Sequence, residues 1–93
     1  GGEMMKNKYV FLAKKWFDKI NGNTYHSVAY HDFDKGETIT SGIVYGYGNH
    51  YKQTAYEMMI KHGYSADPSL KEFQENNSIH YYVVEVSRRR DLI

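Results

Sequence analysis

The chain has no cysteine and a single proline, Pro68, in 93 residues. Without a thiol there is no disulfide framework, no thiolate nucleophile and no cysteine-ligated zinc. A domain of this length must then fold on its apolar core alone, which suits a reducing cytoplasm. An excess of charge of one sign is also lacking. Twelve Lys and Arg against eleven Asp and Glu leave a net charge of +1, so no overall field steers the protein toward a polyanion. No run approaches the ~20 apolar residues of a membrane span, and no secretory h-region is seen, so no membrane partner is expected. The five histidines show neither H-x-H nor H-E-x-x-H spacing, which leaves no expected metal or cofactor. His26 and His31, five apart on a strand, face opposite sides of a sheet. The acids Asp18, Asp32, Asp34, Glu37 and Glu57 fall near turns or on a polar helix face, with no acid/base pair among them. These absences argue against an enzyme.

Aromatic residues are plentiful instead. Ten Tyr, four Phe and one Trp make up 16% of the chain. Tyr favours strands and joins an apolar ring to a hydroxyl that tolerates water, so this content points both to a sheet and to a binding surface. Positive charge is local, at Lys14-Lys15 and at Arg88-Arg89-Arg90. Gly1-Gly2-Glu3 reads as a cloning remnant, with the native sequence expected to start at Met4 or Met5 and a single domain over 4–93.

The periodicities predict an α+β fold of order β-β-β-α-α-β, with an antiparallel sheet of three to four strands and one main amphipathic helix on one face. Tyr9–Phe17, Thr24–Phe33 and Thr38–Tyr45 read as strands joined by turns at Asn21-Gly22 and Asp34–Glu37. With Asn21-Gly22 and Lys35-Gly36 as two-residue turn centres, Phe17 opposes His26 and Val28 opposes Ile43. One face then gathers Phe11, Ala13, Phe17, Val28, Tyr30, Ile39, Ile43 and Tyr45, with His26 among them. The other gathers Val10, Leu12, Trp16, Ala29 and Val44 with Lys14, Tyr25 and His31. The first is the better core face.

Gly46-Tyr47-Gly48 breaks the third strand, and Asn49 is suited to cap a helix running through His62. Tyr51, Ala55, Met58, Met59 and His62 form its apolar stripe, and Gly63 is its expected stop. Asp67-Pro68 predicts the start of a short helix through Asn76 that turns Leu70 and Phe73 inward. Ile79–Val86 reads as a fourth strand beside the first. Gly46-x-Gly48 lacks the third glycine of a dinucleotide fingerprint and the Gly-Lys-Ser/Thr of a phosphate loop, so a tight corner explains it.

From Tyr9 to Gly63 the order of strand, strand, strand and helix resembles the last part of the double-stranded-RNA-binding domain. That resemblance implies contact with a nucleic acid through His26, matched to a loop histidine, and through Lys52 at the helix start. The family's first helix has no counterpart here, and of its lysine cluster only Lys52 is matched. Lys15-Trp16-Phe17, Asn21-Gly-Asn-Thr-Tyr-His-Ser-Val28, Tyr45-Gly-Tyr-Gly48, Tyr51 and Thr54-Ala55 are similar to a group of short phage and mobile-element proteins. This likeness implies a setting, the cytoplasm of a host cell, with partners among host or phage proteins.

The expected binding residues are therefore Trp16, Tyr25, His26, Tyr47, Lys52, Arg88, Arg89 and Arg90. The first reading is a module that binds or inhibits a host protein through aromatic anchors. The alternative is a module for RNA or DNA that stacks bases on sheet aromatics and meets phosphates with the local basic residues. A homodimer formed at the edge left by the third strand is a further expectation.

Overall fold

In a computed structural model residues 7–93 are described. The expected remnant at 1–3 and the start at Met4 or Met5 lie outside the described residues. The fold is α+β. Strands β1 (Asn7–Asp18), β2 (Asn23–Asp32), β3 (Glu37–Thr40) and β4 (Val44–Tyr45) are followed by helices α1 (His50–Lys61) and α2 (Leu70–Asn76), then strand β5 (Asn77–Glu85) and a 3₁₀ turn at Arg89–Leu92. The sheet order is β3-β2-β1-β5, and β4 pairs with β2 beyond the end of β3. The fourth long strand does lie beside the first, but it runs parallel to it. Both helices intervene between β4 and β5, and that length of chain supplies the crossover a parallel pair requires. Among the described residues no helix is long and apolar enough to cross a membrane.

Both hairpins use the same device. Asp18 and Asp32 each precede three residues and a glycine, Gly22 or Gly36, in the left-handed region at φ +69° and +67°. The glycine amide donates to the aspartate carbonyl at 2.7 and 2.8 Å. The Oδ1 of each aspartate accepts two amides from within its loop, Ile20 and Asn21 in the first and Asp34 and Lys35 in the second. The loops are thus four residues long, and the two-residue turns expected from Asn21-Gly22 and Lys35-Gly36 are not formed. Phe11 opposes Tyr30, Ala13 opposes Val28 and Tyr30 opposes Ile39. Each register is shifted by two residues. Two is the period of a strand, so most of the face assignment survives.

The exceptions have physical causes. Between the Ser41 amide bonded to the Val28 carbonyl and the Val44–His26 pair, β2 advances two residues while its partner advances three. This bulge, with Gly42 at φ +73°, exchanges the faces of the residues that follow. Val44 turns to the helix side and Tyr45 to the opposite side, the reverse of the expected placement. Phe17 lies on the helix side beyond the end of the helices and is 54% exposed.

The core lies between the sheet and the helices, with Tyr9, Phe11, Ala13 and Val28 below and Tyr51, Ala55, Met58, Met59 and Phe73 above. Phe11 and Phe73 are fully buried, which contributes about 2–3 kcal/mol for each ring. Thr54 shares the buried stripe of α1, whereas His62, expected to close it, is exposed and forms the C-cap. Gly63 ends the helix at φ +80°: its amide bonds the Ile60 carbonyl and the Tyr64 amide reaches back to Met59. Asn49 sits at the N-cap without a side-chain capping bond. α2 is capped by Ser69, which accepts from the Glu72 amide at 3.2 Å, and not by Asp67. Asp67 accepts from Ser65, Asn76 and Asn77 instead and ties the loop to the C-terminal end of α2. Tyr64 donates to Asp32 Oδ2 at 2.7 Å, which holds that carboxyl below its ordinary range and pushes the phenol up to about 12.

At Gly36 an added Cβ would meet no atom within 4 Å, so a substitution there reports backbone conformation alone. Gly36→Ala is expected to lower stability by about 1 kcal/mol, or roughly 4–8 °C in Tm, and Gly36→Asn by less, because asparagine tolerates positive φ. Thermal melts of the two variants check this.

Candidate binding surface

The side of the sheet away from the helices is built from the residues of β1 that alternate with the core. Cross-strand pairing arranges it in rows. One row holds Tyr82, Leu12, Ala29 and Thr40, the next Val84, Lys14 and Ser27, and the last Trp16, Tyr25 and Tyr45. In that last row the Trp16 and Tyr25 rings are stacked with centroids 5.7 Å apart, and Tyr45 meets Tyr25 edge-on at 5.5 Å. Val10, Leu12, Tyr45, Tyr82 and Val84 are all exposed on this side. They form an apolar surface that spans three strands.

Part of this surface is occupied by the chain itself. After β5 the segment 86–93 folds back over the sheet, and Leu92 is only 2% exposed. Its side chain sits beside a small cavity of about 100 Å³ lined by Leu12, Lys14, Ser27, Ala29, Thr40 and Gly42. The Ser27 hydroxyl, buried beneath it, donates to the Leu92 carbonyl. The face thus accommodates an apolar side chain and hydrogen-bonds the backbone that carries it. Sequence reasoning did not single out Leu92, Ser27 or Tyr82. The alternation of β1 and the apolar ending Asp91-Leu92-Ile93 were the available signals.

The expected binding residues divide among several places. Trp16 and Tyr25 come together on the open face. Tyr47 lies exposed at the corner before α1. Lys52 is on the helix side, its Nζ 5.6 Å from the centroid of the Tyr81 ring. Arg88, Arg89 and Arg90 are exposed at and within the 3₁₀ turn. His26 is a correction: it lies within β2 and not in a loop, is 1% exposed and touches no solvent-facing surface.

His26 is instead a joint. Its Nδ1 lies 3.1 Å from the Gly46 carbonyl, which can only accept, so Nδ1 carries the proton. Nε2 then accepts from the Thr54 hydroxyl at 2.6 Å. One neutral ring thereby links β2, the corner before α1 and α1 itself. Gly46 is required there by packing, since a Cβ would fall 2.7 Å from His50 Cγ and 3.1 Å from His26 Cε1. Burial pushes the His26 pKa down; the bond to Gly46 opposes the shift, while His50 and Lys15 add to it.

A wider cleft of about 530 Å³ opens at the end of the sheet on the helix side, lined by Lys15, Phe17, Lys19, Thr24, Gly48 and Glu85. Its positive character is offset. The Lys15 ammonium donates to the Gly48 carbonyl at 3.1 Å, and Glu85 brings a carboxylate to the same wall. This is poor chemistry for a phosphate backbone, which calls for cations without competing anions.

Thr54→Val is expected to lower stability by about 1–3 kcal/mol, because it leaves His26 Nε2 buried without a donor, and Thr54→Ser to recover most of the loss. The ring is neutral in the fold and gains a proton more readily when unfolded. Its contribution is therefore full above its ordinary pKa of 6.5 and declines as pH falls below that value toward the lower folded pKa. Melts of the wild type and of His26→Gln between pH 8 and 5 check the sign, with the slope below 6.5 reduced in the variant.

Compared with known proteins, the chain matches no family model, no curated protein and no solved structure.

Proposed function

We propose that this chain is a non-catalytic binding module that seats an apolar segment of another protein on the sheet face opposite the helices. The observation that carries the reading is Leu92. The face already holds a leucine from its own chain, with Ser27 bonded to the backbone carbonyl, and this is the chemistry a peptide segment of a partner would meet. Beside that position Trp16, Tyr25 and Tyr45 form an aromatic row of the kind that anchors protein interfaces. The near-neutral charge favours a protein partner over a polyanion. The likeness to short phage and mobile-element proteins supports a host or phage protein as that partner and a host cytoplasm as the setting.

The test is site-specific photo-crosslinking in the host cell, with the probe at Tyr82 on the face or at Lys61 on the exposed side of α1. Adducts are expected from position 82 and not from 61. They should be protease-sensitive and heavier than a dimer of the chain. Nuclease-sensitive adducts, or equal adducts from both positions, would overturn the reading and favour a nucleic acid or non-specific contact.

A further inference from the structure

The far edge of β5 is the second surface that invites a partner. This nine-residue strand ends the sheet order, and among the described residues no strand pairs with its outer side. The Val86 amide donates to the Lys15 carbonyl, so the even residues of β5 direct their backbone groups toward β1. The odd ones, Asn77, Ile79, Tyr81, Val83 and Glu85, direct theirs outward. Sheet edges that stay alone are usually short, bulged, or guarded by lysine or proline. β5 is long, has no proline or lysine, and exposes Tyr82 at 59%, Val83 at 44% and Val84 at 46%. The opposite edge is different, since β3 has four residues and a bulge follows it.

We infer that two copies of the chain pair antiparallel through their β5 edges, about a twofold axis at Tyr81. The occupant is a second copy because the strand is complementary to itself in this register. A twofold through a regular antiparallel ladder must pass through a self-opposed residue, and Tyr81 is the middle of the strand. Each outward amide and carbonyl then finds its partner. On the helix side Ile79 meets Val83 of the second copy, and the two Tyr81 residues meet each other. On the open side His80 meets Tyr82. These two already pack edge-on within one chain at 4.4 Å, so four aromatic rings join across the axis. Glu85, the one charged residue of the strand, opposes Asn77 and no second carboxylate. The edge expected to pair from the sequence is that of the third strand; the shortness of β3 and the length of β5 favour β5 instead. This inference does not rest on the protein partner proposed above, though the two share Tyr82, which stands on the face and on the edge strand.

Strand pairing of this length lies at the small end of stable interfaces, so the dimer is expected to dissociate in the micromolar range. Sedimentation equilibrium of the intact chain from low micromolar to near-millimolar concentration should show monomer passing to dimer and no further. Val83→Pro removes an outward amide and leaves the bonds to β1 in place, as an edge permits. It should weaken the dimer by ~30- to 100-fold through the two symmetry-related bonds it deletes. Val83→Lys, which keeps every backbone bond, should also weaken it and serves where the proline variant fails to melt cooperatively. The absence of native cysteine gives a clean register test. An oxidised mixture of His80→Cys and Tyr82→Cys chains should crosslink far more than either alone. A chain monomeric at every concentration would overturn the inference, as would a dimer unaffected by both Val83 variants or Tyr82→Cys crosslinking as well by itself. An extended foreign peptide that binds the monomer at this edge, with no self-association, would also overturn it.

Discussion

Alternation along β1 is the constraint from which the rest of the molecule follows. The strand is hydrogen-bonded on both sides, antiparallel to β2 and parallel to β5, so its side chains have only the two faces of the sheet to occupy. Tyr9, Phe11 and Ala13 lie under the helices and form the floor of the core. Val10, Leu12, Lys14 and Trp16 are thereby committed to the other side, where no helix covers them. A protein with both helices on one side of its sheet must leave the other side to water, to its own chain or to a partner. Here the chain supplies Leu92 for part of that surface and leaves Tyr45 and Tyr82 exposed, with Trp16 and Tyr25 half-buried beside Tyr45.

Much of this was legible in the residues. Strand and helix order, the stripe of α1 and the stop at Gly63 follow from periodicity and from glycine chemistry, both local. The hairpin registers come out two residues off when Asn21-Gly22 and Lys35-Gly36 are each read as the centre of a two-residue turn. The aspartates at 18 and 32 compete with such turns by gathering loop amides on Oδ1, which stabilises a longer loop closed by glycine. The error was an even number, so the core face was found despite it. The bulge at Ser41–Ile43 is odd in its effect, and it sent Tyr45 and Val44 to the wrong faces. The parallel direction of β5 depends on the crossover through both helices, a long-range matter that no local pattern carries.

The candidate site was legible only in part. Trp16 and Tyr25 were placed correctly together because the first hairpin keeps its parity. His26 is named as a contact on its match to a loop histidine of the double-stranded-RNA-binding domain, although alternation sets it on the core face, where it lies. Its partners Gly46 and Thr54 are 20 and 28 residues away and meet it only in the fold. Ser27 and Leu92 are farther apart still, at 65 residues. The charged residues scattered because exposed lysines and arginines answer to solvent and not to a common centre: Lys52 lies on the helix side and Arg88–Arg90 at the end of the chain's return. Near-neutral charge and an apolar face left free of helices are the two features on which the proposed protein-binding reading draws.

That account rests on the open face having affinity for an apolar chain segment, and Leu92 allows it to be measured without knowledge of any partner. In a Leu92→Asp chain the native occupant is disfavoured, and a free peptide of sequence Ser-Arg-Arg-Arg-Asp-Leu-Ile can be titrated against it by amide NMR. Saturable shifts at Leu12, Ser27 and Ala29, lost when the peptide leucine is replaced by aspartate, are the predicted result. Shifts that are absent, or that persist with the aspartate peptide, would contradict it.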